Sequence, residues 1–192
     1  MRFLSLIAAL LAGLVAGLGL TALVARDGVV FDRQQLGAWS FAPRIGSENI
    51  DPYARARMLV SGELPLANGE GFSLVASVDD QGGTLSARCT YRVSGPLPAA
   101  RFWTLTITTP DGQLIDTPLS RSSFTSAEIL RFAGEAVAIE VGARPLAGNW
   151  LPAPGNGAFI LTLRLYETPL SATATVLDRA KLPRVERLGC AA

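Results

Sequence analysis

Three patterns of apolar and polar positions succeed one another along this chain. The first is an apolar run from Phe3 to Ala25, interrupted only by Ser5 and Thr21, with no charge and no proline. Its 23 residues would measure about 35 Å as a helix, enough to cross a bilayer core. A cleaved signal peptide usually has a shorter apolar region, about 7–15 residues, and a small residue three positions before the cut. A cut after Ala25 would put Leu23 there. The run therefore reads as an uncleaved transmembrane signal anchor over residues 1–26. A juxtamembrane segment over 27–50 follows, with Trp39 and Phe41 taken as a first strand, and then a domain over 51–192.

The second pattern is helical and short. Asp51 suits an N-cap, Pro52 the first helical position and Gly62 a stop. The spacing puts Tyr53, Ala56 and Val60 on one face, with Arg55 pointing away.

From Phe72 the period drops to two. FSLVASV, the turn DDQGG and TLSARCTYRV read as a hairpin, with Leu85, Ala87, Cys89, Tyr91 and Val93 inward. RFWTLTIT follows, with Trp103, Leu105 and Ile107 inward. TPDG then turns the chain so that QLIDT pairs back. Thr125 and Glu128 have capping-box spacing and predict one helical turn. AVAIEV, with Val137, Ile139 and Val141 inward, and FILTLRLY, with Phe159, Leu161, Leu163 and Leu165 inward, are further strands, whereas ATATVLD, near the C-terminus, suits an edge strand or a helical turn. The expected fold class is all-β: an antiparallel β-sandwich with one or two short helices, preceded by the transmembrane helix.

Composition narrows the chemistry. Seventeen basic residues face 16 acidic ones, so no charge excess invites nucleic acid. Positive charges on the two sides of the anchor nearly balance. A lone N-terminal anchor before a large domain nevertheless places that domain on the periplasmic, outer side of a bacterial cytoplasmic membrane. Gly13 and Gly17 form a GxxxG pair that lets helices approach, a homodimer contact, although Gly and Ala are abundant enough there to make the ridge by chance.

The chain contains no histidine. This removes His-dependent nucleophile arrangements and His-ligated metals, and no cofactor is expected. Asp79 and Asp80 read as solvated turn residues, and Glu140 as a cross-strand partner for an arginine such as Arg164. Cys89 and Cys190 can form a disulfide tying the tail to the sheet; the other reading is a buried thiol and a thiol on a loose tail. Candidate ligand contacts are Arg88, Trp103, Asn149, Trp150, Arg164 and Tyr166, set against core packing for the tryptophans and solvation or pairing for the arginines.

Three stretches carry a resemblance: DPYARARMLVSGELPLANGEG, ARCTYRVSGPLPAARFWTLTITTPDGQL and NWLPAPGNGAFILTLRLYETPL. Over roughly residues 37–190 the chain resembles the domain-of-unknown-function family numbered 1214. Where members often carry two tryptophans before a threonine, this chain has Phe102 and Trp103. The resemblance implies a jelly-roll-type sandwich, in a short membrane-anchored form or as the C-terminal half of longer proteins with a sister domain. It brings no catalytic residues. The function expected is a membrane-anchored envelope domain that binds a ligand or serves structurally. The alternatives are a carboxylate-dependent hydrolase or lyase, and a subunit partnering a sister-domain protein.

Overall fold

The computed structural model describes residues 2–27, 33–61, 64–117, 119–131, 137–169 and 177–191. Helix α1, Arg2–Asp27, contains a stretch from Arg2 to Val24 long and apolar enough to cross a membrane. A signal sequence would meet the same criterion. Among the described residues ten strands form two sheets, with one further α-helix, α2, at Pro52–Ser61 and a 3-10 turn at Arg179–Lys181.

The six-stranded sheet contains β1 (Gln34–Leu36), β2 (Trp39–Phe41), β3 (Gly71–Ala76), β5 (Phe102–Thr108), β6 (Ser123–Thr125) and β9 (Ile160–Tyr166), ordered β1-β2-β3-β9-β5-β6. The four-stranded sheet, ordered β10-β4-β7-β8, contains β4 (Cys89–Gly95), β7 (Val137–Gly142), β8 (Trp150–Pro152) and β10 (Arg184–Cys190). The sheet thus takes in residues 34–41, ahead of the domain boundary drawn at residue 51.

The period-two pattern sorts side chains as the pleat requires. Leu161, Leu163 and Leu165 of β9 are buried while Thr162, Arg164 and Tyr166 alternate outward. From the facing sheet Tyr91, Val93, Ile139, Val141 and Val185 point back into one shared core. The sandwich arises because each sheet has one apolar face and only the other sheet can cover it.

Several local expectations change. TLSARCTYRV is not a strand throughout: the turn bridges Val78 to Thr84, and β4 starts only at Cys89. The hairpin cannot continue because β3 and β4 belong to different sheets. QLIDT makes one bridge, Thr108 with Leu114, rather than a paired strand. After Thr125 the chain makes a turn in which the Glu128 N–H donates to the Thr125 carbonyl at 3.2 Å, not a helix, because Thr125 is already paired with Thr104 in a sheet. In α2 the buried residue is Ala54, with Met58 half-buried one turn later, while Tyr53 is exposed. Gly62, residues 172–176 and the Val60 side chain lie outside the described residues.

One pairing is parallel. β7 and β8 run together in the register Glu140 to Trp150, although only residues 143–149 connect them. Parallel neighbours usually need a crossover of a dozen or more residues. Asn149 supplies the compensation: its Oδ1 accepts from the Leu130 N–H at 2.7 Å, and its Nδ2 donates to the Leu130 and Ala138 carbonyls at 2.9 Å each. The Trp150 indole N–H closes the unit on the Gly142 carbonyl at 2.8 Å.

Candidate functional site

A cleft of about 500 Å³ opens where one edge of each sheet meets the C-terminal segment. Leu36 and Trp39 line it from the β1–β2 turn, Ser94–Pro96 from the end of β4, and Leu182 and Pro183 from the lead into β10. Asp80, Arg179 and Arg184 bring charge to it. The tight β1–β2 turn needs Gly37 at φ 65°, where a side chain would also meet the Arg179 guanidinium at 2.9 Å.

The walls are pinned by buried polar groups. The Trp39 indole N–H donates to the Pro183 carbonyl at 2.7 Å, drawing β2 to the start of β10. Asp80 Oδ2 accepts from the Val185 N–H at 3.0 Å, and the Asp80 N–H donates to the Val185 carbonyl at 2.9 Å. Asp80 Oδ1 lies 3.3 Å from Arg179 Nη2. This single turn residue therefore holds the rim from several directions.

Asp79 sits beneath. It is 1% exposed, so the expectation of a solvated turn does not hold for it. Its Oδ1 accepts from the Gln81 and Gly83 N–H groups at 3.0 and 2.9 Å. Its Oδ2 faces Arg187 Nη2 at 2.5 Å, an ion pair without hydrogen-bond alignment. The Arg187 guanidinium crosses the Gly83 backbone so closely that any Cβ there would collide with it. Burial of a carboxylate is tolerable only with such partners.

The tail is also fastened covalently. A disulfide joins Cys89 to Cys190, opposite each other in the β4–β10 register. The Ala191 N–H then donates to the Arg88 carbonyl at 2.7 Å.

The six candidates named from sequence do not gather in this cleft. Trp103 is buried between the sheets, beside an apolar void of about 10 Å³ that it shares with Val93, Leu105 and Ile139. Arg88 is exposed just before β4. Asn149 and Trp150 hold β8, as described above. Arg164 and Tyr166 share the outer face of the six-stranded sheet, Arg164 between Ser73 and Thr104, and Tyr166 beside Phe102 with ring centroids 5.9 Å apart.

Glu140 pairs with an arginine, but Arg164 is in the other sheet. The partner is Arg92 on the neighbouring strand, with Nε 2.6 Å from Oε1. That hydrogen bond, then the nearby charge, pushes the Arg92 pKa above its ordinary value.

Leu36, Arg179 and Arg184 were not visible as site residues. The nearest sequence signal is the adjacent pair Asp79–Asp80, which reads as solvated until the fold buries Asp79 and brings arginines to both.

No curated protein matches the chain. Among solved structures, a protein of Vibrio parahaemolyticus aligns with a TM-score of 0.59 at 16% identity, over 92% of this chain and 44% of its own. This supports a shared fold, and the chain spans less than half of that protein's length. An uncharacterised protein of Burkholderia cenocepacia aligns at a TM-score of 0.42 and 21% identity, over 64% of this chain and 30% of its own, a looser likeness than a shared fold requires. The family profile of DUF1214, described as protein of unknown function, matches residues 70–170, more than half of the chain. The chain belongs to the DUF1214 family.

Proposed function

We propose that this protein is a membrane-anchored envelope module that binds a small anionic ligand with an apolar part in the cleft beside Trp39. In this reading α1 spans a bacterial cytoplasmic membrane once, uncleaved, and residues 51–192 with the strands before them stand on the periplasmic side. The sandwich is of jelly-roll type in this reading, which the passage of the chain between the sheets at β3–β4, β4–β5, β6–β7, β8–β9 and β9–β10 supports. The observation that carries the binding reading is the cleft lining: apolar Leu36, Leu182 and Pro183 beside Arg179 and Arg184. Asp80 is already engaged by Arg179 and the Val185 N–H, while Arg184 has no ion pair among the described residues. An arginine at an apolar-walled cleft suits a carboxylate or phosphate head with a hydrocarbon body.

A carboxylate enzyme would need acidic groups converging in a partly buried pocket. Glu140 is instead joined to Arg92, and Asp116 and Glu128 are exposed. That separation favours binding over hydrolysis or elimination. Partnership with a sister domain has one observation in its favour, that the chain spans 44% of the longer Vibrio protein.

The test is a thermal-shift screen of the detergent-solubilised chain against fatty acids, phospholipid headgroups, sugars and peptides. Stabilisation by an anionic amphiphile that disappears with Arg184→Glu is the expected result. A silent screen would redirect attention to a protein partner.

A further inference from the structure

We infer that α2, with Leu64 beyond it, rests on the lipid headgroup layer, so that the sandwich has a fixed attitude on the membrane rather than swinging freely from α1. The inference builds on the reading of α1 as a membrane span. Helices α1 and α2 pack against each other. Of the α1 side chains described, Val24 alone is half-buried and the others are exposed, so α2 meets α1 at its C-terminal end. That end is also where the apolar span stops. Wherever α1 crosses a bilayer, α2 is therefore held at the level of the headgroups.

The surface of α2 suits that position. Its inner side chain is Ala54, at 4% exposure, turned to the protein. Leu59 is 82% exposed and Leu64, in the following loop, 87%. These leucines are among the most exposed large apolar residues outside α1. Arg55 lies one turn before Leu59 and is also exposed. The helix carries Arg55 and Arg57 and no acidic residue. Leucine beside arginine on an outward helix face is the composition of an interfacial segment: the apolar group enters the acyl boundary while the guanidinium reaches phosphate. An exposed leucine is ordinary on a soluble surface; the placement of these two beside the level where the apolar span ends carries the inference.

The full chain, reconstituted in phosphatidylcholine–phosphatidylglycerol vesicles, tests this. Single substitutions Leu14→Cys, Leu59→Cys, Leu64→Cys and Leu114→Cys carry an environment-sensitive dye, attached without reductant so that the native disulfide stays closed. Doxyl-labelled lipids then report depth. Dye at position 14 should be quenched deeply. Positions 59 and 64 should be quenched by shallow doxyl groups, about twofold or more over position 114, in the manner of an interfacial helix. Adding Leu64→Asp should weaken quenching at position 59. Dye at 59 and 64 behaving like dye at 114, with position 14 still quenched, would overturn the inference and leave the span intact. No quenching at position 14 would remove the span and the inference together. Quenching at 59 that ignores Leu64→Asp would show the dye rather than the protein face seeking lipid, and would also overturn it.

Discussion

Asp79 and Arg187 face each other at 2.5 Å with the Asp79 side chain fully removed from solvent. The pair joins the turn after β3 to the last strand, residues more than a hundred positions apart in sequence. Breaking a buried pair leaves an uncompensated charge, which costs about 3–5 kcal/mol. Arg187→Ala is therefore expected to lower unfolding free energy by that amount in urea denaturation. A loss below about 1 kcal/mol, the range of an exposed pair, would show that the pair is solvated.

Arg92 and Glu140 provide the contrast. Their contact is nearly as short, 2.6 Å, but the Arg92 side chain is 47% exposed. Solvent screening should hold the effect of Arg92→Ala below about 1 kcal/mol. The folded-state pKa of Arg92 is raised by the hydrogen bond and charge of Glu140, so wherever that carboxylate is ionised the contribution holds up to the ordinary arginine range and is lost on the alkaline side only in strong alkali. Arg92→Ala should therefore show the same small deficit from about pH 6 to about pH 9. A deficit that varies across that window would point to another partner.

Asn149 makes three hydrogen bonds to backbone groups of Leu130 and Ala138. Asn149→Ala strands one donor and two acceptors in a site that is 5% exposed. The expected loss is about 2–4 kcal/mol, given roughly 1–3 kcal/mol for each buried group left unsatisfied and partial rescue by water. Amide exchange in β8 should accelerate more than in β9. Uniform acceleration would mean that Asn149 acts on global stability alone.

Cys89 and Cys190 close a loop with a sequence separation of 101. In the chain-entropy account, reduction should remove about 4–5 kcal/mol. Denaturation with and without reductant measures this, and a thiol count on the unreduced, denatured chain should find none free. Two free thiols would show that the bond does not form.

Gly83→Ala offers a test of the same lock without touching a charge. A Cβ there collides with the Arg187 guanidinium, which must leave Asp79 to make room. The loss should resemble that of Arg187→Ala, and the two substitutions together should cost about the same as either alone, since neighbours sharing one interaction are not additive. Full additivity would separate the glycine from the ion pair.

The residues of the cleft show how unevenly a sequence reveals a site. Leu36, Asp80, Gly95, Arg179 and Arg184 come from distant parts of the chain and meet only after both sheets have formed. Asn149 and Trp150 stand beside a Pro- and Gly-rich loop, a usual setting for ligand contacts. In the structure both side chains are occupied by backbone partners, and Trp150 lies beside Glu140 in the small sheet.

The sequence by itself determined α1, the facing of Leu161, Leu163 and Leu165, and the inward register from Leu85 to Val93. Each follows from local arithmetic: an apolar run long enough to span a bilayer, or a period of two that admits only one buried face. Tertiary structure alone decided that β3 and β4 enter different sheets, that Glu140 meets Arg92 rather than Arg164, and that Asp79 is buried. Periodicity states which face of a strand is covered but not which strand lies beside it. That choice belongs to the packing of the two sheets as a whole, and the charged residues take whichever partners the packing brings within reach.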